Sequence, residues 1–270
     1  MTITELAIKR PTLIVVIFAA LTVERNRVWR DQDSFVNTYL SMVEDGIARH
    51  PDYTKLHKMR ARVQARFRAY GPEMEDAVFE AARVIGPGDF EVHAMLSWVY
   101  YCKGMNEEAL AEINETLKTF PSGHYQDFAG SILLRLGRYE EALAMVDKAI
   151  AQNPRKAKYF INRGNILYEM GRKEDALGEF AAASRIDPDN HASYLAQGVV
   201  LEELGDIDRA VAAMERALAL RPDLPEVHYN AALTFEKAGD AGRAERELRA
   251  ALAVKPDYRA AADALERLAR

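Results

Sequence analysis

Residues 157–190, AKYFINRGNILYEMGRKEDALGEFAAASRIDPDN, contain one full period of the chain's main pattern. Within it a small residue, Gly164, lies seven positions before a second glycine, Gly171; Ala176 follows five later, Ala183 twelve later and Pro188 closes the unit. The same punctuation recurs outward in both directions. The turn glycines are Gly104, Gly137, Gly171, Gly205 and Gly239, at intervals of 33, 34, 34 and 34. The earlier small column is Ser97, Gly130, Gly164, Gly198 and Ala232, and the later one Thr116, Ala149, Ala183, Ala217 and Ala251. Large apolar columns run between them: Tyr100, Leu133, Leu167, Leu201 and Phe235, then Ile113, Val146, Phe180, Met214 and Leu248. A fixed period near 34 means stacked copies of one supersecondary unit rather than a single compact core. Helical spacing on both sides of the glycine predicts two antiparallel helices per unit, with small residues where their backbones cross. The glycine fits the left-handed position past the first helix. The prolines, Pro121, Pro154, Pro188, Pro222 and Pro256, stop the second helix or open the next.

The columns Gly164, Leu167, Tyr168, Gly171, Ala176, Phe180, Ala183 and Pro188 resemble those of tetratricopeptide (TPR) repeats, and the likeness extends over residues 90–258 as five repeats. It implies an all-α fold, a right-handed α-solenoid of helix–turn–helix repeats with a C-terminal capping helix. His93, Gln126 and His228 depart from the family pattern, which usually has a large hydrophobe there. Residues 259–270 carry Ala261, Ala264, Leu265 and Leu268 on one side and charges elsewhere, as the polar-faced cap of an array requires. The expected organisation is a hydrophobic N-terminal segment and linker (1–33), degenerate helical repeats (34–88), the five repeats (89–258) and the cap (259–270).

The net charge of -5 divides unevenly. Residues 1–85 carry 13 Lys/Arg against 11 Asp/Glu, or +2, and the remainder 23 against 30, or -7. An acidic array argues against nucleic acid, which requires a clustered basic face. With one cysteine, Cys102, no intramolecular disulfide is available, and the compartment stays open.

Residues 12–23, TLIVVIFAALTV, form the most hydrophobic stretch. The uncharged run from Pro11 to Val23 would make a helix of about 20 Å, short of the ~30 Å bilayer core. Three readings fit: an apolar helix packed on the array, a membrane anchor or uncleaved signal, and a cleaved signal. The second is the expectation, with a cytoplasmic protein as the other reading of localisation. Residues 5–22 resemble the opening of resistance-nodulation-division exporters, where a basic-basic-Pro motif (here Lys9-Arg10-Pro11) precedes the first membrane helix. Residues 24–57, with Glu24-Arg25-Asn26-Arg27, Trp29-Arg30-Asp31 and His50-Pro51-Asp52-Tyr53, are similar to the junction between the last membrane helix and the TPR tail of glycosyltransferase-C type bacterial proteins. Both resemblances imply membrane adjacency. In residues 54–70, Lys55, Lys58, Arg62 and Arg66 form a stripe that fits either anionic headgroups or a solvated repeat face, the latter favoured. Arg60 falls near the small position of the repeats, which marks this hairpin as degenerate.

No phosphate loop, nucleophile elbow or zinc-type spacing is present in the sequence, so an enzyme is not expected, nor a metal or cofactor. The Glu107-Glu108, Glu140-Glu141 and Glu174-Asp175 pairs follow the turn glycine, where they complement the positive end of the second helix. In proteins of this resemblance the first helices line a concave groove. The positions so placed are Trp98, Tyr101, Leu134, Ile161, Asn162, Asn165, Tyr168, Leu195, Val199, Tyr229, Asn230 and Leu233. Aromatic and aliphatic residues among sparse amides suit a peptide segment of a partner protein, with apolar contacts supplying affinity and the asparagines meeting its backbone. Lys158, Asn162 and Asn165 hint at a clamp for a terminal carboxylate, but Ala192 and Ala196 replace the next basic pair and exclude it. The expected function is a non-catalytic, membrane-proximal scaffold; the alternative is an accessory tail of a membrane glycosyltransferase or exporter system, or a fragment of one. Self-association through the array ends is a third mode.

Overall fold

A computed structural model describes residues 40–41, 43–48, 51–52, 54–67, 71–86 and 88–268. The apolar run 11–23 and, of the 24–57 junction, residues 24–39, 42, 49, 50 and 53 lie outside these residues. The chain divides into two compact units that meet at Pro121 and Ser122. Among the described residues every regular element is helical.

In the first unit, α1 (Thr54–Phe67) pairs with α2 (Pro72–Ile85), and α3 (Phe90–Cys102) with α4 (Asn106–Thr119). The second unit pairs α5 (Gly123–Arg135) with α6 (Tyr139–Gln152), α7 (Ala157–Glu169) with α8 (Lys173–Ile186), and α9 (His191–Glu203) with α10 (Ile207–Leu220). It continues with α11 (Pro225–Lys237) against α12 (Ala241–Val254) and ends in α13 (Arg259–Leu268). Each second helix also packs on the first helix of the next pair within its unit. The fold is all-α, in adjacent helix pairs of the solenoid kind.

The glycine column is explained by backbone geometry. All five turn glycines adopt φ between 72° and 82°, where a Cβ would crowd the carbonyl. Each closes a Schellman motif: Gly171 N–H donates to the Tyr168 carbonyl at 2.8 Å and Arg172 N–H to that of Leu167 at 2.9 Å. The proline column ends the second helix and opens none. The residue before each proline is the C-cap, at φ between −132° and −144° with ψ between 71° and 92°, as a following pyrrolidine ring demands.

Packing follows the remaining columns. A Cβ at Gly164 would lie 2.5 Å from the Phe180 ring, one at Gly198 2.7 Å from Met214 Cε, and one at Gly130 2.6 Å from Val146 Cγ2. Each small residue of the first helix is thus the socket for the large residue of its partner. The alanines Ala142, Ala149, Ala176, Ala183, Ala210 and Ala217 are fully buried.

The N-terminal hairpin keeps more of the repeat than its sequence suggests. Its small position is filled by Ala61, buried beside Met74, Val78 and Ala81, rather than by half-buried Arg60. Ala61 lies ten positions after Pro51, as Ala232 lies ten after Pro222. His57 and His228 also correspond, each setting its Nε2 on the carbonyl of the proline six residues earlier, at 2.6 and 2.9 Å. Of the basic stripe, Lys58 is committed to Asp89 and Glu91.

Candidate functional site

The twelve groove positions sit on the first helices of the pairs: Trp98 and Tyr101 on α3 of the first unit, the others on α5, α7, α9 and α11 of the second. Trp98 is 40% exposed; the other eleven are half-buried. Trp98 and Tyr101 stack with ring centroids 5.9 Å apart.

In the second unit the row has two characters. Over α5 and α7 it is polar. Asp127, fully buried, accepts from Asn162 Nδ2 at 2.6 Å and faces Lys158 Nζ at 3.1 Å. Asn162 also reaches Ser131 Oγ at 3.4 Å. A buried carboxylate requires such partners, since removing one leaves an uncompensated charge. Burial, and then the neighbouring Lys158, holds His124 below the usual histidine range. Over α9 and α11 the surface is apolar. Leu195 and Val199 pack over Met214, Ala231 and Phe235, while Tyr229 lies against Ala232 and Leu248 and 5.4 Å from the Tyr258 ring. Asn230 gives its amide hydrogen to the Glu226 carbonyl one turn back, at 2.7 Å.

The far edge of the row carries carboxylates. Tyr168 donates its hydroxyl to Glu203 at 2.6 Å, a bond that, with partial burial, pushes the phenol up to about 12. Glu203 also pairs with Lys173 at 3.1 Å. Glu202 accepts from Thr234 and meets Lys237, both at 2.6 Å. Glu236 meets Arg267 at 2.9 Å.

Three of the expected residues come together around a hollow of about 800 Å³. Leu134 closes it from α5, and Asn165 and Tyr168 from α7. Sequence reasoning missed its other walls: Arg135, the turn residues Leu136 and Gly137, Tyr139 at the start of α6, and Glu169 at the end of α7. They sit at helix ends, outside the four-residue spacing that marks the central face. The signal available was their place around the turn glycine, one repeat apart.

The histidines that depart from the family pattern make structural contacts. His93 Nδ1 lies 2.5 Å from Glu112 and His228 Nδ1 2.6 Å from Glu247, each partner nineteen residues on in the second helix. Gln126 instead accepts from Gln152 Nε2 at 3.0 Å, twenty-six residues on at the end of its second helix. Among the described residues no group of three or more His, Cys, Asp or Glu is arranged to hold a metal ion.

The tetratricopeptide repeat family model matches residues 129–191, 161–225 and 195–257. No curated protein matches. The crystal structure of TTC0263, a thermophilic TPR protein in Thermus thermophilus, is 23% identical with a TM-score of 0.59, covering 67% of this chain and 98% of its own. A tetratricopeptide repeat protein from Parabacteroides merdae gives a TM-score of 0.71 at 14% identity, over 88% of this chain and 94% of its own. In the APC/C hetero-tetramer Cut9–Hcn1 the TM-score is 0.68 at 18% identity, over 87% of this chain and 46% of that one. At these identities the likeness is one of fold.

Proposed function

We propose that this run of tetratricopeptide repeats is a non-catalytic scaffold that holds a peptide segment of a partner protein against its first helices. The observation that carries this reading is the state of the groove row. None of its twelve side chains is fully buried, whereas the small column from Ser97 to Ala232 and, in the second unit, the large column Leu133, Leu167, Leu201 and Phe235 are. Half-buried Leu195, Val199, Tyr229 and Leu233 leave apolar area for a ligand to cover, and Trp98, Tyr168 and Tyr229 are of the residue types that anchor interfaces.

The polar contacts support an internal segment over a chain end. The Asn162 amide hydrogen is committed to Asp127, and that of Asn230 to its own helix. Lys158 faces the same buried Asp127. This end of the groove is neutralised from within, which fits a peptide interior better than a terminal carboxylate.

The test is a peptide selected on the wild-type chain from a random display library. The Trp98, Tyr168 and Tyr229 triple change to Ala is expected to abolish its binding while leaving the helical circular dichroism intact. Binding that survives the triple change rules out the concave assignment.

Membrane proximity is part of the proposal and rests on the sequence of residues 11–23 and its flanks. Among the described residues no helix is long and apolar enough to cross a membrane. Carbonate washing of membranes carrying the full chain, or residues 24–270 alone, decides it. Retention of only the full chain supports an anchor, and release of both removes it.

A further inference from the structure

We propose that the hollow between the end of α5 and α7 receives an arginine side chain of the bound peptide, with its guanidinium on Glu169 and its stem against Tyr139 and Tyr168. This rests on the peptide-binding reading and assigns one contact within it.

The charge distribution carries the argument. Along this edge Glu202, Glu203 and Glu236 are each held by a hydroxyl, a cation or both. Glu169 is exposed, and among the described residues its carboxylate has no hydrogen bond or ion pair; the Asn165 side chain likewise has none. Both face the hollow. The other charged lining residue, Arg135, already has a partner in the fold, so Glu169 is left to a ligand.

Shape selects the cation. A hollow of about 800 Å³ is of ligand-pocket size, and Leu134, Tyr139 and Tyr168 give it apolar walls. The hydroxyl bond from Tyr168 to Glu203 fixes that ring before any ligand arrives. A guanidinium is planar, stacks on aromatic faces and presents a fork that matches a carboxylate, whereas an ammonium is a strongly hydrated point charge. The Asn165 carbonyl can accept one further guanidinium N–H, and its amide can donate to a peptide carbonyl.

Random peptides displayed on phage are selected on the full chain, and the strongest are synthesised for fluorescence anisotropy. The expected result is an arginine fixed at one position of the enriched sequences. Its replacement by alanine, or Glu169→Gln in the protein, then weakens binding about tenfold. The two changes together cost little more than either alone, and Asp208→Asn on α10, which removes a charge elsewhere, leaves affinity unchanged. Enriched peptides without arginine, or affinity indifferent to Glu169→Gln, overturn the arginine contact. If such peptides still fail on the Trp98, Tyr168 and Tyr229 triple variant, the scaffold reading stands without it. No enrichment at all overturns both.

Discussion

At the scale of single residues, two glycines in the same column test how this fold tolerates crowding. Removing a helical glycine gains about 1 kcal/mol of propensity, and overpacking a core costs about 1–3 kcal/mol. The balance depends on what the new methyl meets. At Gly198 it meets Met214 Cε at 2.7 Å and, less tightly, Cγ and Sδ at 3.1 Å; that side chain is buried too, but its three rotatable bonds let it step aside. At Gly164 it meets three atoms of the Phe180 ring between 2.5 and 2.9 Å, and a buried aromatic ring moves only as a rigid plate. Gly198→Ala is therefore expected to fall within about 0.5 kcal/mol of wild type, and Gly164→Ala to lose about 1–2 kcal/mol. Urea melts of both variants check the order; equal effects would mean that the socket, not its occupant, sets the cost. These columns were legible in the sequence because each small residue recurs beside its large partner. Ala61 was not, because Gly71 stands three residues beyond the register that Pro51 sets.

Between elements, what the sequence conceals is which polar groups meet. The resemblance placed Tyr168 among the expected groove positions and gave no sign that its hydroxyl would reach Glu203, thirty-five residues on at the end of α9. The bond ties two successive first helices, and its titration can be observed directly. The Tyr168 phenol is pushed up to about 12 from an ordinary 10.0. A group whose folded value is raised contributes its full stability below the unfolded value and loses it as pH rises through the folded one. The tie between α7 and α9 is thus intact to about pH 10 and weakens toward pH 12. Burial also raises Tyr159 and Tyr258. Absorbance of phenolate against pH should therefore show a late phase that loses one tyrosine's amplitude in Tyr168→Phe and has that amplitude brought to lower pH by Glu203→Gln. If Glu203→Gln leaves that phase in place, the hydrogen bond is not its cause. The same blindness to pairing hid the free Glu169 edge. Sequence spacing gave Leu134, Asn165 and Tyr168, whereas Arg135, Tyr139 and Glu169 join them only because two turns stack.

Over the whole molecule, stability in a stacked array is close to a sum of repeat terms and nearest-neighbour interfaces, and the last described helix offers a test of that sum. Helix α13 begins where a seventh first helix would, and it buries Ala261 and Ala264 against Ala232, Leu248 and Ala251. Its small position, seven residues into the helix, holds Glu266, which is exposed. A glutamate there offers no socket for a following second helix, so the face that would continue the stack is polar. Removing residues 259–270 would uncover the α11–α12 cluster and forfeit the packing of two buried alanines and half-buried Leu265 and Leu268, about 3 kcal/mol. That loss should remain local. Hydrogen exchange of the truncated chain is expected to speed up in α11 and α12, with bound anilinonaphthalene sulfonate reporting the uncovered apolar surface, while α1 to α4 exchange as before. Uniform acceleration along the chain would instead mean that the repeats unfold as one cooperative block, and α13 would then be a part of a single core rather than the cap of an array.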